Sequence, residues 1–129
     1  MTMSTVSPEE LNEQAIKILA DIDAKGGVLK ASERLAIPAQ EMPNQDPGQR
    51  RHNTDEVALG YSVAQARVEA SRCLQCKNQP CVTGCPVSLP IRDFVSAIAA
   101  NDFGKAIALI KEKSLLPAVC GRVCPQESQ

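Results

Sequence analysis

The stretch RCLQCKNQPCVTGCP, residues 72–86, spaces four cysteines as Cys73-x2-Cys76-x4-Cys81-x3-Cys85 and closes on Pro86. The two remaining cysteines repeat that ending as Cys120-x3-Cys124-Pro125. A Cys-x-x-Cys turn lets two thiolates grip one metal centre. A Cys-x3-Cys-Pro ending closes iron–sulfur loops, and in two-cluster proteins the Cys before the Pro serves the neighbouring cluster. Two four-cysteine clusters would take more ligands than the six cysteines present. The competing reading is a structural four-cysteine zinc site, which would make the chain a zinc-stabilised helical interaction module without a redox role. Three features weigh against zinc: the tight packing of the first four cysteines, the doubled Cys-Pro ending, and the two further cysteines. The x4 gap between Cys76 and Cys81 departs from the x2 of the bacterial ferredoxin run.

Upstream of the cysteines, Ser62 and Gln65 form an S-x-x-Q capping box, which predicts a helix from Ser62 through Arg72 that delivers Cys73 at its end. Downstream, Pro90 opens a helix whose apolar stripe is Ile91, Phe94, Val95 and Ile98. Asn101-Asp102 makes a tight link, and Phe103, Ala106, Ile107 and Ile110 form a second stripe reaching about Ser114. Two helices of similar length joined this way fold into an antiparallel hairpin, so the travel of one cancels that of the other and Cys120 and Cys124 return near Cys85. Phe94 and Ile107 are expected to face each other, buried between these helices.

At the N-terminal end, Ser7-Pro8-Glu9-Glu10 is a helix start, and Leu11, Ala15, Ile16, Leu19 and Ile22 follow at helical spacing until Gly26-Gly27. Between the two halves, IPAQEMPNQDPGQRRHN (37–53) carries three prolines and no periodicity, which predicts an extended connector lying on a surface. No period-two pattern occurs, so the expected class is all-α. The organisation is a single helical domain over 1–129: an N-terminal helix in 1–30, an extended connector in 31–55, and a cysteine-bearing helical core in 56–129.

Composition bounds the function. Aromatics are 2% of the chain, only Tyr61, Phe94 and Phe103, too few for the stacking platforms of single-stranded nucleic-acid binders. The net charge of −1 gives no pull towards nucleic acid or an anionic membrane. The start lacks the charged and apolar regions of a secretory signal, and no run reaches transmembrane length. A cytoplasmic setting is therefore expected, where thiols stay reduced and clustered cysteines serve metals. No G-x-G-x-x-G, P-loop or Ser/His/Asp set is present, so no catalytic residue is assigned. Gly84 and Gly121, beside cysteines, suit either a close amide–sulfur approach or a positive φ. Arg72, Lys77, Arg92 and Arg122 are candidates to balance thiolate charge, while His52 reads as solvated.

The stretches EVALGY (56–61), EASRCLQC (69–76), PCVTGCPV (80–87) and LPAVCGRVCPQE (116–127) together resemble the N-terminal iron–sulfur domain of the NADPH-dependent glutamate synthase small (beta) chain family. They are also similar to the start of dihydropyrimidine dehydrogenase. Glu33-Arg34, Ile37-Pro38 and Met42-Pro43 fit the same pattern. The resemblance implies an α-helical ferredoxin fold with two [4Fe–4S] clusters. Cys73, Cys76 and Cys81 would be metal ligands of one cluster, Cys85 and Cys124 of the other, with Cys120 a nearby non-ligand. It also implies an oxidoreductase whose electrons pass between FAD and a partner's redox centre. FAD and NADP would bind a flavin/NAD(P)H-binding portion of the same polypeptide, and the partner would be a large catalytic subunit or another redox protein. The family continues past Cys124 with two more cysteines and a Gln or Glu ligand, whereas this sequence ends at Gln129. The resemblance thus implies a C-terminally truncated core, incomplete clusters, and a segment 118–129 that owes its order to metal.

Overall fold

The computed structural model describes residues 6–125. Among them every regular element is a helix, and extended pairing is confined to one antiparallel bridge between Asn44 and Ala58. None of these helices is long and apolar enough to cross a membrane. The chain forms two compact units, one up to Arg72 and one from Cys73 onward.

The first unit is built on α1 (Pro8–Ala24) and α4 (Val63–Ser71), which pack on each other. Ser7 caps α1 through a full capping box: its Oγ accepts from the Glu10 amide at 3.2 Å, and Glu10 accepts from the Ser7 amide at 2.9 Å. Gly26 and Gly27 end the helix at φ +69° and +70°. Their amides turn back to the Asp23 and Ile22 carbonyls at 2.9 and 3.2 Å, the bonding of a Schellman stop. Leu11, Ala15 and Ile22 are buried on α1, and Val68 and Ala70 on α4. Ile16, placed on the apolar stripe by spacing, is 51% exposed. A helix with one neighbour buries a stripe narrower than its apolar residues fill. An ion pair from Arg67 to Asp23, 3.0 Å long, joins the two helices on their solvent side.

Within residues 31–55, expected extended, the chain makes two short helices, α2 (Ala31–Ala36) and α3 (Pro47–Arg50). Pro47 does not prevent α3, because it stands at the first helical position where no amide is needed. Asp46 caps it, its carboxylate accepting from the Gly48 and Gln49 amides at 2.8 and 3.1 Å. The rest of the connector is extended and pairs with the chain ahead of α4 through Gln45 N to Val57 O and Leu59 N to Pro43 O, at 2.9 and 2.8 Å.

Gln65 ties this connector to α4. It is 1% exposed, yet both ends of its amide are satisfied. Oε1 accepts from the Ser62 amide at 3.1 Å, completing the capping box, and Nε2 donates to the Glu41 carbonyl at 3.1 Å. Glu69, one turn on, accepts from the Gln40 amide at 2.9 Å, and the Tyr61 hydroxyl donates to the Gln40 carbonyl at 2.9 Å. Across the other side, Lys25 and Glu33 pair at 2.8 Å. Their hydrogen bond holds the Lys25 amine above its ordinary range and the Glu33 carboxyl below its own.

The second unit contains α5 (Pro80–Gly84), α6 (Ile91–Ala99), α7 (Phe103–Lys111) and α8 (Pro117–Val123). Helices α6 and α7 form the expected hairpin. Asn101 turns the chain at φ +62°, and Asp102 caps α7 by accepting from the Lys105 amide at 2.9 Å. The contact between them differs from the expected one. Ala97 and Ala106 are buried, Phe94 is half-buried, and Ile107 is 41% exposed. Small side chains at the crossing let the backbones approach, and the large ones are left flanking the seam. Within 118–129, the segment expected to owe its order to metal, the residues up to Val123 belong to α8, with Pro117 at its first position. Residues 126–129 of the expected metal-dependent tail lie outside the described residues.

Two substitutions test this packing. Gln65→Ala strands the Ser62 amide and the Glu41 carbonyl, both partners of part-buried bonds, so it should lower unfolding free energy by about 1–3 kcal/mol in urea titration. Phe94→Ala should cost roughly half of the 3–5 kcal/mol of a fully buried phenylalanine; a full-sized loss would mean that Phe94 is more enclosed than its half-burial indicates.

Candidate metal centre

The six cysteines sit on the second unit and form no disulfide with one another. Cys73 and Cys76 lie on irregular chain directly after α4. Cys81 is in the first turn of α5, and Cys85 is its C-cap. Cys120 is inside α8, and Cys124 is the C-cap of α8.

The two Cys-Pro endings turn out to be one local structure used twice. Each follows a short helix opened by a proline, Pro80 in one case and Pro117 in the other. Each ends on a cysteine in extended conformation, Cys85 at φ −83°, ψ 118° and Cys124 at φ −65°, ψ 119°. The cause is the following proline, whose ring excludes the helical region for the residue before it. The break turns the capping cysteine out of the helix that holds the cysteine four positions earlier.

The loop around the first four cysteines is unusual in its backbone. Gln75, Gln79 and Ser88 all take positive φ, +55°, +43° and +53°, without being glycine. Such residues carry local strain and concentrate at functional sites. They also redirect backbone amides. At Cys85 the amide of Leu89, followed by those of Val87 and Ser88, favours the thiolate and outweighs partial desolvation, so this thiol lies below its ordinary range. At Cys73 the donor is a side chain, Gln75 Nε2 at 3.3 Å from Sγ. The sequence shows no hint of these donors beyond Gln and Ser at positions that need a left-handed turn.

Among the described residues, no three His, Cys, Asp or Glu side chains converge closely enough to enclose a metal ion, the set Cys73, Cys76 and Cys81 included. Thiolate sites of small domains are closed by the metal itself, since like-charged sulfurs have no reason to gather without it. The donor chemistry nonetheless fits an iron–sulfur cluster: several thiols on short loops, one already hydrogen-bonded by backbone amides, the kind of outer contact that sets cluster potentials. Cys120 stands apart, its Sγ 3.6 Å from the hydroxyl of the buried Ser114.

The other candidates resolve differently. Arg72 pairs with Glu69, Arg92 with Asp93 at 3.4 Å, and Arg122 donates to the Ala118 carbonyl at 3.1 Å. Gly121 does not take a positive φ, so the turn reading does not apply to it. His52 is exposed and accepts from the Arg51 guanidinium at 3.1 Å.

Residues 50–129 match the family model described as dihydropyrimidine dehydrogenase domain II, 4Fe-4S cluster. Over 57% of its length the chain is 41% identical to the NAD-dependent dihydropyrimidine dehydrogenase subunit PreT of Salmonella typhimurium. Over 76% it is 33% identical to the putative oxidoreductase AegA of Escherichia coli, and over 69% it is 33% identical to the glutamate synthase [NADPH] small chain of Azospirillum brasilense. The matched segments are 18%, 15% and 19% of those proteins, so the chain spans less than a fifth of the curated relatives it matches.

The lowered Cys85 thiol gives a measurable consequence with a definite sign. A thiol whose folded pKa is depressed adds stability above its unfolded pKa, and that increment is lost as pH falls through the folded value. In the reduced, metal-free chain, iodoacetamide labelling of Cys85 followed by mass spectrometry should show a midpoint pH below that of the same thiol in urea; equal midpoints would mean that the three amides do not hold the thiolate.

Proposed function

Because the chain belongs to the dihydropyrimidine dehydrogenase domain II, 4Fe-4S cluster family, we propose that it is the electron-carrying module of an NAD(P)H-dependent oxidoreductase. The observation that carries this reading is that the matched residues 50–129 include all six cysteines. The same segment matches relatives named for different substrates. In our reading the matched segment supplies a route for electrons, and the substrate is chosen elsewhere in a longer protein. Bound [4Fe–4S] clusters supply one-electron steps.

In this reading Cys73, Cys76 and Cys81 hold one cluster, while Cys85 and Cys124 serve the other. The shared conformation of Cys85 and Cys124 supports pairing them, since each is turned out of its helix by its proline. Cys120 stays out of ligation, engaged with Ser114. The amides at Cys85 stabilise the charged sulfur that ligation requires. FAD and NADP belong to a flavin- and nicotinamide-binding portion of a longer polypeptide. The electron acceptor is a larger catalytic subunit or another redox protein, in keeping with relatives named as a subunit and a small chain. A cytoplasmic setting suits six thiols with no disulfide among them.

Anaerobic purification followed by iron, zinc and sulfide analysis and electron paramagnetic resonance of the reduced protein tests this. Iron and acid-labile sulfide in comparable amounts, with a [4Fe–4S] signal, are expected. Zinc near one per chain without sulfide would replace the electron carrier by a zinc-stabilised interaction module. Cys85→Ser and Cys124→Ser should diminish the same spectral component and Cys81→Ser a different one. Loss of one common component in both Cys81→Ser and Cys85→Ser would overturn the partition.

A further inference from the structure

We propose that Arg34 is a positioning residue for Cys73, acting through the end of α4; the role of Cys73 as a ligand rests on the function proposed above. Arg34 lies outside the matched residues 50–129, on the short helix α2. Its guanidinium spans two backbone carbonyls: Nη1 donates to Ser71 O at 3.0 Å, and Nε donates to Leu29 O at 3.2 Å. Ser71 is the last residue of α4, and only Arg72 separates it from Cys73.

Two physical needs meet at that carbonyl. The last turn of a helix leaves four carbonyls without helical partners, and an unheld last turn frays. Ser71 is buried, 4% exposed, and its own hydroxyl is committed to the Arg67 carbonyl at 2.8 Å, so the Ser71 carbonyl requires a donor from another element. Arg34 supplies it. The second need is electrostatic. A helix C-terminus carries about half a negative charge. The guanidinium of Arg34 is placed directly on the terminal carbonyl, where it counters that partial charge and steadies the last turn. The segment before residue 50 thereby limits the backbone freedom of the first cysteine and its access to reagents.

The device has a natural control. Lys25 tethers the same helix α2 through Glu33, the residue before Arg34. The test uses the whole 129-residue chain as three variants: Arg34→Met, which keeps the stem and removes every donor; Arg34→Lys, which restores a cation with donors; and Lys25→Gln. In the reduced, metal-free protein, Arg34→Met should speed hydrogen exchange of the amides at 70–73 about tenfold, the loss of one charged hydrogen bond at a helix end. It should also raise the rate of Cys73 alkylation, with Cys81 unchanged. Arg34→Lys should recover part of both effects, and Lys25→Gln should produce neither. Exchange that rises evenly over α1 and α4, or an equal response to Lys25→Gln, would make Arg34 an ordinary packing residue and overturn the proposal, as would unchanged exchange at 70–73. After anaerobic loading with ferrous iron and sulfide, Cys73→Ser should lower bound iron. If it does not, the ligand reading of Cys73 fails while the metal-free result for Arg34 still stands or falls by itself.

Discussion

Helix α4 is the element on which the first unit depends, and its dependence can be traced to hydrogen bonds that a helix this short cannot make alone. Nine residues do not sustain a helix in water, because the cost of nucleation is spread over too few bonds. Its start is closed by Ser62 and Gln65, its flank by Gln40 bonded to Glu69, and its end by Arg34 on Ser71. Gln65 is central because one buried amide group serves both the helix start and the connector. Replacing it with an apolar residue of similar size would fill the space and still remove the side-chain partner of two part-buried backbone groups. The connector, the N-terminal helix and the approach to the first cysteine therefore share one support.

The sequence made the local signals legible. Both capping boxes, the double-glycine stop and the α6–α7 hairpin are written in residues whose chemistry acts over three or four positions, and they stand where the spacing puts them. The cysteine pattern was equally legible, and the family match covers all of it. What escaped is what depends on partners distant in the chain. Ile16 and Ile107 carry the right period, but a helix with a single neighbour has more apolar surface than it can hide. Nothing near Arg34 announces a bond to a carbonyl thirty-seven positions later. Helices α2 and α3 are too short for periodicity to reveal, and the prolines that argued against helix in the connector include one that starts a turn.

The cysteine region relies on backbone to a degree that the side chains conceal. Three non-glycine residues with positive φ surround the first four cysteines, and the donors at Cys85 are amides of the chain. The Cys-Pro ending contributes in the same manner. Proline adds no ligand, and its effect is to forbid a helical conformation to the cysteine before it. Residue identity at Pro86 and Pro125 thus governs the direction of two sulfurs without touching either.

Charge compensation by amides has a consequence for how this site tolerates change. Arginines and lysines that neutralise a thiolate can be exchanged one mutation at a time, and dissolved salt weakens them. The amides of Val87, Ser88 and Leu89 belong to every residue but proline, so a scan of this loop with alanine would leave them in place and report the loop as dispensable. Their contribution becomes visible only when the peptide group itself is altered, by an ester in place of an amide or by a proline inserted where the donor stood. A lineage that drifts freely in side chains here would keep the electrostatics of Cys85 so long as it keeps the turn.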